Sequence, residues 1–266
     1  MIGLGSNRLS VCRRGGMSVT QAGRGGMEWL GVRAPLWSSP YSAQATAALK
    51  AQFPTQWPTI KAYGFAHPEI VPFINEDPML VMSLIEGLGT RWIANGSGAY
   101  IDTGLVPTNQ TSIDALYYAS NSNCYVYGSA VDYSTRTMEQ YGSELHFGVY
   151  KGGLSGLYGA WVHLWSNVNE YYWTNNGTNY STSFGAYSGT FPYTMGLFAL
   201  HRASWIASPG TISMQYYKMS EGGTLLRHMV PFKSQTYGNC MLDVVNREVH
   251  ENIGSGSFTI SESPAS

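Results

Sequence analysis

The amino-acid sequence predicts an all-β protein, built as a two-layer sandwich or jelly roll and preceded by an extended N-terminal arm and a short helical connector. From about residue 90 onward, apolar residues recur with a period of two, as they do in half-buried strands. Turn sequences rich in Gly, Asn and Pro separate these short segments, a spacing typical of a sandwich and not of a parallel α/β sheet. Charged residues make up 12% of the chain and aromatic residues 14%, which suits exposed sheets and large contact surfaces.

Residues 1–42 form the predicted arm, which is basic and rich in glycine. Its glycines cost much conformational entropy to order and contribute no side chains to a core. We therefore expect neighbouring subunits or partner proteins to hold it as an anchor, and the alternative is that it folds back on its own domain. The arginines proposed to make the anchoring contacts are Arg8, Arg13, Arg14 and Arg24.

Two classes of partner are not predicted. The net charge of −1 gives no global attraction to nucleic acid or to an anionic membrane surface. The chain contains no run of 18 apolar residues, so no membrane span is expected.

Residues 43–89 form the predicted connector. The Ala, Leu, Lys and Gln content of AQATAALKAQF, residues 43–53, predicts a short helix. Prolines at positions 54, 58 and 68 exclude a long continuation of that helix. Residues 69–89 are expected to pack on the domain and to present Met79, Met82 and Leu84 to a partner.

Residues 90–262 form the predicted β domain. In residues 143–152 the alternation places Leu145 and Phe147 on one face and His146 on the other. In residues 156–165 both faces carry large apolar side chains, which predicts a strand in the middle of a sheet and covered on both sides. Five further strands are predicted within residues 194–202, 210–219, 225–233, 242–250 and 256–261.

Four sequence blocks carry a family resemblance: GAYIDTGLVPTNQTSIDALYY, MGLFALHR, TISMQYYKMSEGGTLLRHMVPFK and GNCMLDVVNREVHENIGSGSF. In this order they resemble the LamG-like, concanavalin A-like jelly-roll domains of gut-phage virion proteins and bacterial surface proteins. The resemblance implies the jelly-roll fold, with glycan binding or virion architecture as the commonest uses. Fold alone does not determine function.

The function expected from the arm and the resemblance is that of a non-enzymatic structural component of a tailed bacteriophage virion, such as a decoration or fibre-like subunit. Its partners would be other virion proteins and copies of itself, because virions are symmetric, and host or mucus glycans are further candidates. The alternatives are a carbohydrate-binding module of a bacterial surface and, more remotely, a glycoside hydrolase.

The sequence offers no catalytic residues, no cofactor motif and no predicted metal ligands. Glucanases of this architecture place carboxylates at i, i+2 and i+4 of one strand, which directs all of them into one cleft. Here Glu139 and Glu144, and likewise Glu248 and Glu251, have odd separations that direct them to opposite faces. The six histidines show no ligand-like spacing, although a calcium ion held by Asp102 or by Asp243 stays open.

Residues 169–189 combine aromatic side chains with amides in one loop-prone stretch. Flat aromatic rings can stack on sugar rings while amides bond hydroxyl groups. The predicted glycan-binding residues are Tyr171, Tyr172, Trp173, Asn176 and Tyr180. The alternative is an ordinary hairpin in which Tyr172 or Trp173 belongs to the core.

Asp102 lies in the turn sequence YIDTGLVP and has no carboxylate partner on its own strand. Gly104 and Pro107 are turn residues, so the Asp102 side chain is expected to bond nearby backbone amides.

Overall fold

The structure is a computed structural model that describes residues 39–131, 136–148, 150–167, 169–185 and 191–265, without the side chains of residues 136–139. Most of the predicted arm, including its arginines Arg8, Arg13, Arg14 and Arg24, lies outside the described residues.

Among the residues that the structure describes, four short helices precede the sheets: α1 Ala43–Gln52, α2 Trp57–Ala66, α3 Val71–Glu76 and α4 Val81–Leu84, with a 3-10 turn at Pro78–Leu80 before α4. The helix predicted at residues 43–53 is confirmed. It begins where the Ser42 side chain accepts a hydrogen bond from the Ala45 amide, and it ends before Pro54. Pro58 and Pro72 occupy the first turns of α2 and α3, where a missing N–H costs nothing. None of the described helices is long and apolar enough to cross a membrane.

The remaining elements are strands, as the all-β prediction requires. They are β1 Gly89–Asn95, β2 Ile101–Asp102, β3 Thr111–Ala119, β4 Tyr125–Ala130, β5 Arg136–Tyr141, β6 Glu144–Phe147, β7 Tyr150–Lys151, β8 Trp161–Ser166, β9 Glu170–Asn175, β10 Thr178–Ser183, β11 Gly196–Leu197, β12 Ala199–His201, β13 Trp205–Ala207, β14 Ile212–Glu221, β15 Thr224–Ser234, β16 Gly238–Asp243, β17 Glu248–His250 and β18 Phe258–Pro264.

The strands form two predominantly antiparallel sheets, in a jelly-roll-like sandwich. The larger sheet has the order β10-β9-β8-β3-β14-β15-β16-β17, with β1 pairing to both β14 and β18. The smaller sheet has the order β13-β12-β4-β5-β6-β7, with β11 pairing to both β2 and β4. The inner faces of the two sheets meet in one core, whose fully buried members include Tyr117, Tyr127, Phe147 and Tyr217. Burial of an apolar side chain such as Phe147 contributes about 1.5–3 kcal/mol.

The helices form a second core on the outer face of the larger sheet. Leu49, Ile60 and Ile74 pack there with Val230 and Phe232 of β15 and with two residues of β16. The prediction that Met82 faces a partner is wrong, because Met82 belongs to this cluster and is only 5% exposed, while Met79 and Leu84 are half-buried against the same cluster. Val230 and Phe232 point to the outer face of the sheet, and the apolar side chains of the helical segment bury against them.

A buried ion pair also ties the helices to the sheet. The Arg91 guanidinium of β1 donates to the carboxylate of Asp77, which precedes the 3-10 turn, and the Arg91 side chain is completely buried. Asp77 also accepts a hydrogen bond from the Lys233 amide of β15 at 2.7 Å. Glu262 of β18 lies 3.4 Å from Arg91 and 2.7 Å from the Lys233 ammonium. The network therefore joins three strands to the helical segment.

The Asp102 turn is held from both sheets. Its carboxylate accepts the Gly104 amide at 2.8 Å, as predicted, and Gly104 has a φ of 71°, a conformation that favours glycine. From the larger sheet, Arg227 Nε donates to the Thr103 carbonyl at 3.1 Å and His250 Nδ1 donates to the Asp102 carbonyl at 2.9 Å. Asp102 is thus a turn residue that closes one edge of the sandwich.

Candidate functional site

The outer face of the larger sheet is divided into two regions. Helices cover β15 and β16, whereas β8 shows strict alternation between buried and exposed side chains. Its buried residues Val162 and Leu164 join the core between the sheets, and its outward residues Trp161 and Trp165 are 36% and 43% exposed. The prediction of a central strand is confirmed, since β8 lies between β3 and β9, but the prediction that both its faces are covered is wrong.

The position of β8 within its sequence segment also differs from the prediction. Residues 156–160 precede the strand as an irregular segment, because Gly156 and Gly159 adopt φ values of 77° and 80° that extended strands do not have. The strand therefore begins at Trp161.

We call the outward-facing residues of β3, β8, β9 and β10, together with Trp92, the aromatic face. Trp165 stands directly opposite Tyr172 of β9, with ring centroids 5.5 Å apart, and Tyr172 is 42% exposed. Trp161 stands opposite Tyr118 of β3, with centroids 6.2 Å apart, and it packs edge-on against Trp92 at 6.0 Å. The face thus holds two ring clusters, one at each end of β8.

A fixed carboxylate borders these rings. Asp114 of β3 accepts hydrogen bonds from His163 Nε2 at 2.9 Å, from the Tyr216 hydroxyl at 2.9 Å and from Lys218 Nζ at 3.3 Å. Burial alone would raise the pKa of Asp114, but the His163 bond, the Lys218 charge and the Tyr216 bond together hold it below its ordinary value. Burial, and then the nearby Asp114 charge, raise the pKa of Tyr216. Asp114 is therefore ionised at neutral pH, and its bonds hold His163 in place.

Two shallow depressions open beside the first ring cluster. One, of about 280 Å³, is lined by His163, Trp165, Tyr172, Trp173, Thr174, Asn179 and Tyr180. The other, of about 350 Å³, is lined by Glu170, Tyr172 and three hydroxyl residues of β10. Tyr172 borders both, and its hydroxyl donates to Glu170 at 2.8 Å. That hydrogen bond raises the pKa of Tyr172.

The structure separates the glycan-binding residues that were predicted from the sequence. Tyr172 lies on the aromatic face, whereas Tyr171 and Trp173 are 0% and 3% exposed and belong to the core, and only an edge of Trp173 borders the first depression. Tyr180 stacks on Trp173 with centroids 5.5 Å apart, so it is half-buried. Asn176 forms the exposed β9–β10 turn with a φ of 47°. Neighbours in a strand point to opposite faces, so Tyr171 and Trp173 cannot share the outward face with Tyr172.

Sequence reasoning did not select Trp161, His163, Trp165 or Asp114. The sequence WVHLWS does contain the signal, since its two tryptophans and its histidine recur with a period of two. Val162 and Leu164 are the better core residues of this segment, and that choice leaves both tryptophans on the other face.

A second cluster joins residues that are scattered in the sequence. Ligand atoms of Asp243, Glu248 and His250 lie within 4.8 Å of one another, so they form a candidate cation site among the described residues. Arg227 already lies against it, with Nη1 3.3 Å from Asp243 and Nη2 3.9 Å from Glu248. The guanidinium supplies the positive charge that the two carboxylates require. This cluster therefore belongs to the contacts that hold the Asp102 turn.

Comparison with known proteins adds little. No protein-family model matches the chain, and no curated protein matches it. Among solved structures, a crystal structure of a candidate carbohydrate-binding protein from Bacteroides ovatus shows a TM-score of 0.43 at 12% identity. The match covers 67% of this chain and 62% of that one, so the chain spans less than two thirds of its length. A likeness this distant identifies neither a family nor a ligand, and the LamG-like resemblance stays a prediction. The fold and the site define a β-sandwich with an open aromatic face.

Proposed function

We propose that the protein binds carbohydrate through the aromatic face. The observation that carries this proposal is the exposure of three flat rings on two adjacent strands, Trp161, Trp165 and Tyr172, beside side chains that can bond hydroxyl groups. A sugar ring offers a matching surface, since its C–H faces are apolar and its edge carries hydroxyls that both donate and accept hydrogen bonds.

The exposure of these rings supports a binding role. Polar side chains such as Thr would serve a solvent-facing strand equally well, whereas clustered apolar surface is typical of interaction sites. Trp and Tyr lose few rotamers on binding, so they bury a large area at low entropic cost. The polar groups available for sugar hydroxyls are His163, Thr174 and Asn179, and Thr174 already donates to the Asn179 side-chain oxygen at 2.8 Å.

Binding without cleavage fits the carboxylates better than hydrolysis does. Asp114 and Glu170 lie on the same outer face, but β8 stands between their strands. Glycosidases use a pair of carboxyl groups, one of which must be protonated to act as the general acid. Asp114 is moreover held ionised by three donors and is unsuited to act as a general acid.

The test is a binding survey of the full chain on a panel of plant, bacterial and mucin glycans, followed by calorimetry on the glycans that bind. Trp165→Thr and Tyr172→Thr keep a strand-forming residue while removing the ring. Each is expected to weaken binding by about tenfold or more, the usual effect of removing an aromatic anchor. The matched control is Tyr237→Thr, which removes a 51% exposed ring from the β15–β16 turn and should leave affinity unchanged.

Two results would refute the proposal. One is the absence of binding to every glycan in the panel. The other is binding that is as tight in Trp165→Thr and in Tyr172→Thr as in the wild type. The alternative is that a second copy of the chain covers the aromatic face. Light scattering of the same samples tests this by measuring the oligomeric state. A dimer that dissociates on Trp165→Thr substitution would assign the face to self-association.

The virion role stays a prediction. Its support is the resemblance and the basic composition of the arm, and Arg8, Arg13, Arg14 and Arg24 lie outside the described residues.

A further inference from the structure

The two ring clusters of the aromatic face lie well apart along one strand. Trp161 and Trp165 are four residues apart on β8 and point to the same side. At about 3.3 Å per residue this separates their backbone positions by about 13 Å. A single sugar ring is similar in size to a tyrosine ring, so one ring can stack on one cluster but cannot reach both.

The surface between the clusters is polar. His163 lies midway between the two tryptophans on β8, opposite Thr174 of β9, which in turn pairs with Asn179 of β10. All three side chains can bond hydroxyl groups. The face therefore alternates along β8 from aromatic to polar to aromatic, as a chain of sugar rings alternates stacking faces with hydroxyl-bearing edges.

The charges of the face are internally compensated or acidic. Lys218 is 3.3 Å from Asp114, and Glu170 accepts the Tyr172 hydroxyl. Among the described residues of the aromatic face there is no lysine or arginine, and Lys218 of the neighbouring strand β14 is paired with Asp114. A sulfated or uronic acid glycan would meet no free positive charge here, and its anionic groups would be repelled by Glu170.

We propose that the ligand is a neutral, linear oligosaccharide that lies along β8 and contacts both ring clusters. This inference rests on the proposed carbohydrate-binding function. The cluster of Trp165 and Tyr172, which borders the two depressions, binds the first sugar unit. The cluster of Trp161, Tyr118 and Trp92 then adds affinity only for chains of about three or more units, since shorter ones do not span about 13 Å.

The experiment measures dissociation constants of the full chain for a neutral oligosaccharide series, from monosaccharide to hexasaccharide, built from the sugar that binds in the survey. Acidic oligosaccharides of matched length are measured in parallel. Affinity should rise by about tenfold or more between the disaccharide and the hexasaccharide, the gain expected from a second aromatic contact. The acidic series should bind more weakly at every length.

The substitution Trp161→Thr separates the two clusters. It should remove the gain in affinity with chain length, whereas Trp165→Thr should weaken the binding of the disaccharide and of the hexasaccharide alike by about tenfold. Thermal melting of each variant checks the fold, and Tyr237→Thr serves again as the control. Removing Trp161 also removes its contact with Trp92. The substitution Tyr118→Thr therefore serves as a second variant, because it weakens the same cluster while Trp161 is retained.

The outcomes distinguish this inference from the proposed function. Affinity that is independent of chain length in the wild type overturns the extended ligand and leaves carbohydrate binding intact. Length dependence that persists in Trp161→Thr and Tyr118→Thr assigns the second contact elsewhere and also overturns it. Tighter binding of the acidic series overturns the neutral ligand, and no binding to any oligosaccharide refutes both proposals.

Discussion

His228 offers a quantitative test of the electrostatics beside the aromatic face. It lies on β15, paired with Lys218 of β14 and facing Tyr216 edge-on at 6.3 Å. Burial, and then the Lys218 charge, lower its pKa from 6.5 to about 4, against the opposing influence of the Asp243 and Asp114 carboxylates. The neutral imidazole is therefore the form that the folded protein accommodates.

The sign and size of the effect follow from this shift. Below pH 6.5 the unfolded chain takes up a proton that the folded protein does not bind until about pH 4. The stabilisation from neutral His228 is complete above pH 6.5 and is lost as the pH falls to about 4. Each unit of difference between the unfolded and folded pKa is worth about 1.4 kcal/mol, so the loss between pH 7 and pH 4 is about 3 kcal/mol.

The assay compares the wild type with His228→Gln, which cannot titrate. Denaturant unfolding at pH 7 and pH 4 gives the free energy of unfolding of each protein at both pH values. Other groups titrate alike in the two proteins, so the wild type should lose about 3 kcal/mol more than the variant over this interval. Equal losses in the two proteins would refute the claim that His228 is held neutral.

The remaining predictions concern the architecture. Replacing Arg91 by Met should lower the free energy of unfolding by about 3–5 kcal/mol in urea titrations, because it leaves the Asp77 carboxylate buried without its cation; a loss below about 1 kcal/mol would contradict this reasoning. Gly142→Ala should cost more than about 2 kcal/mol, because the glycine has a φ of 54° and an added Cβ would lie 2.1 Å from the Ser122 carbonyl oxygen. Gly177→Ala is its control, with a similar φ of 77° but open space around it, and should cost only about 1–2 kcal/mol.

Features with local causes could be predicted from the sequence. The helix at Ala43–Gln52 follows from residue propensities and the prolines after it, and the Asp102–Gly104 turn follows from a carboxylate that reaches an amide two residues away. The period of two located strands such as β14 and β15, because alternation along a strand is a property of the backbone. It did not locate the turn at residues 244–247, so the strand predicted at residues 242–250 is in fact the end of β16, a turn and β17.

The binding face required the tertiary structure. A period of two shows which residues share a face, but it does not show which face meets the second sheet. In β9 the sequence offers Tyr171 and Trp173 on one side and Tyr172 on the other, and all are aromatic, so hydrophobicity alone could not select the core. The structure selects Tyr171 and Trp173 because they meet the smaller sheet.

The sequence by itself thus determined an all-β chain with a short helical lead-in and a defined turn at Asp102, since these depend on interactions between near neighbours. Only the tertiary structure decided that the helices cover one end of the larger sheet, that Trp161, Trp165 and Tyr172 stay open at the other, and that Asp243, Glu248 and His250 meet. Those outcomes depend on strand register and on packing between segments far apart in the chain, which no local pattern encodes.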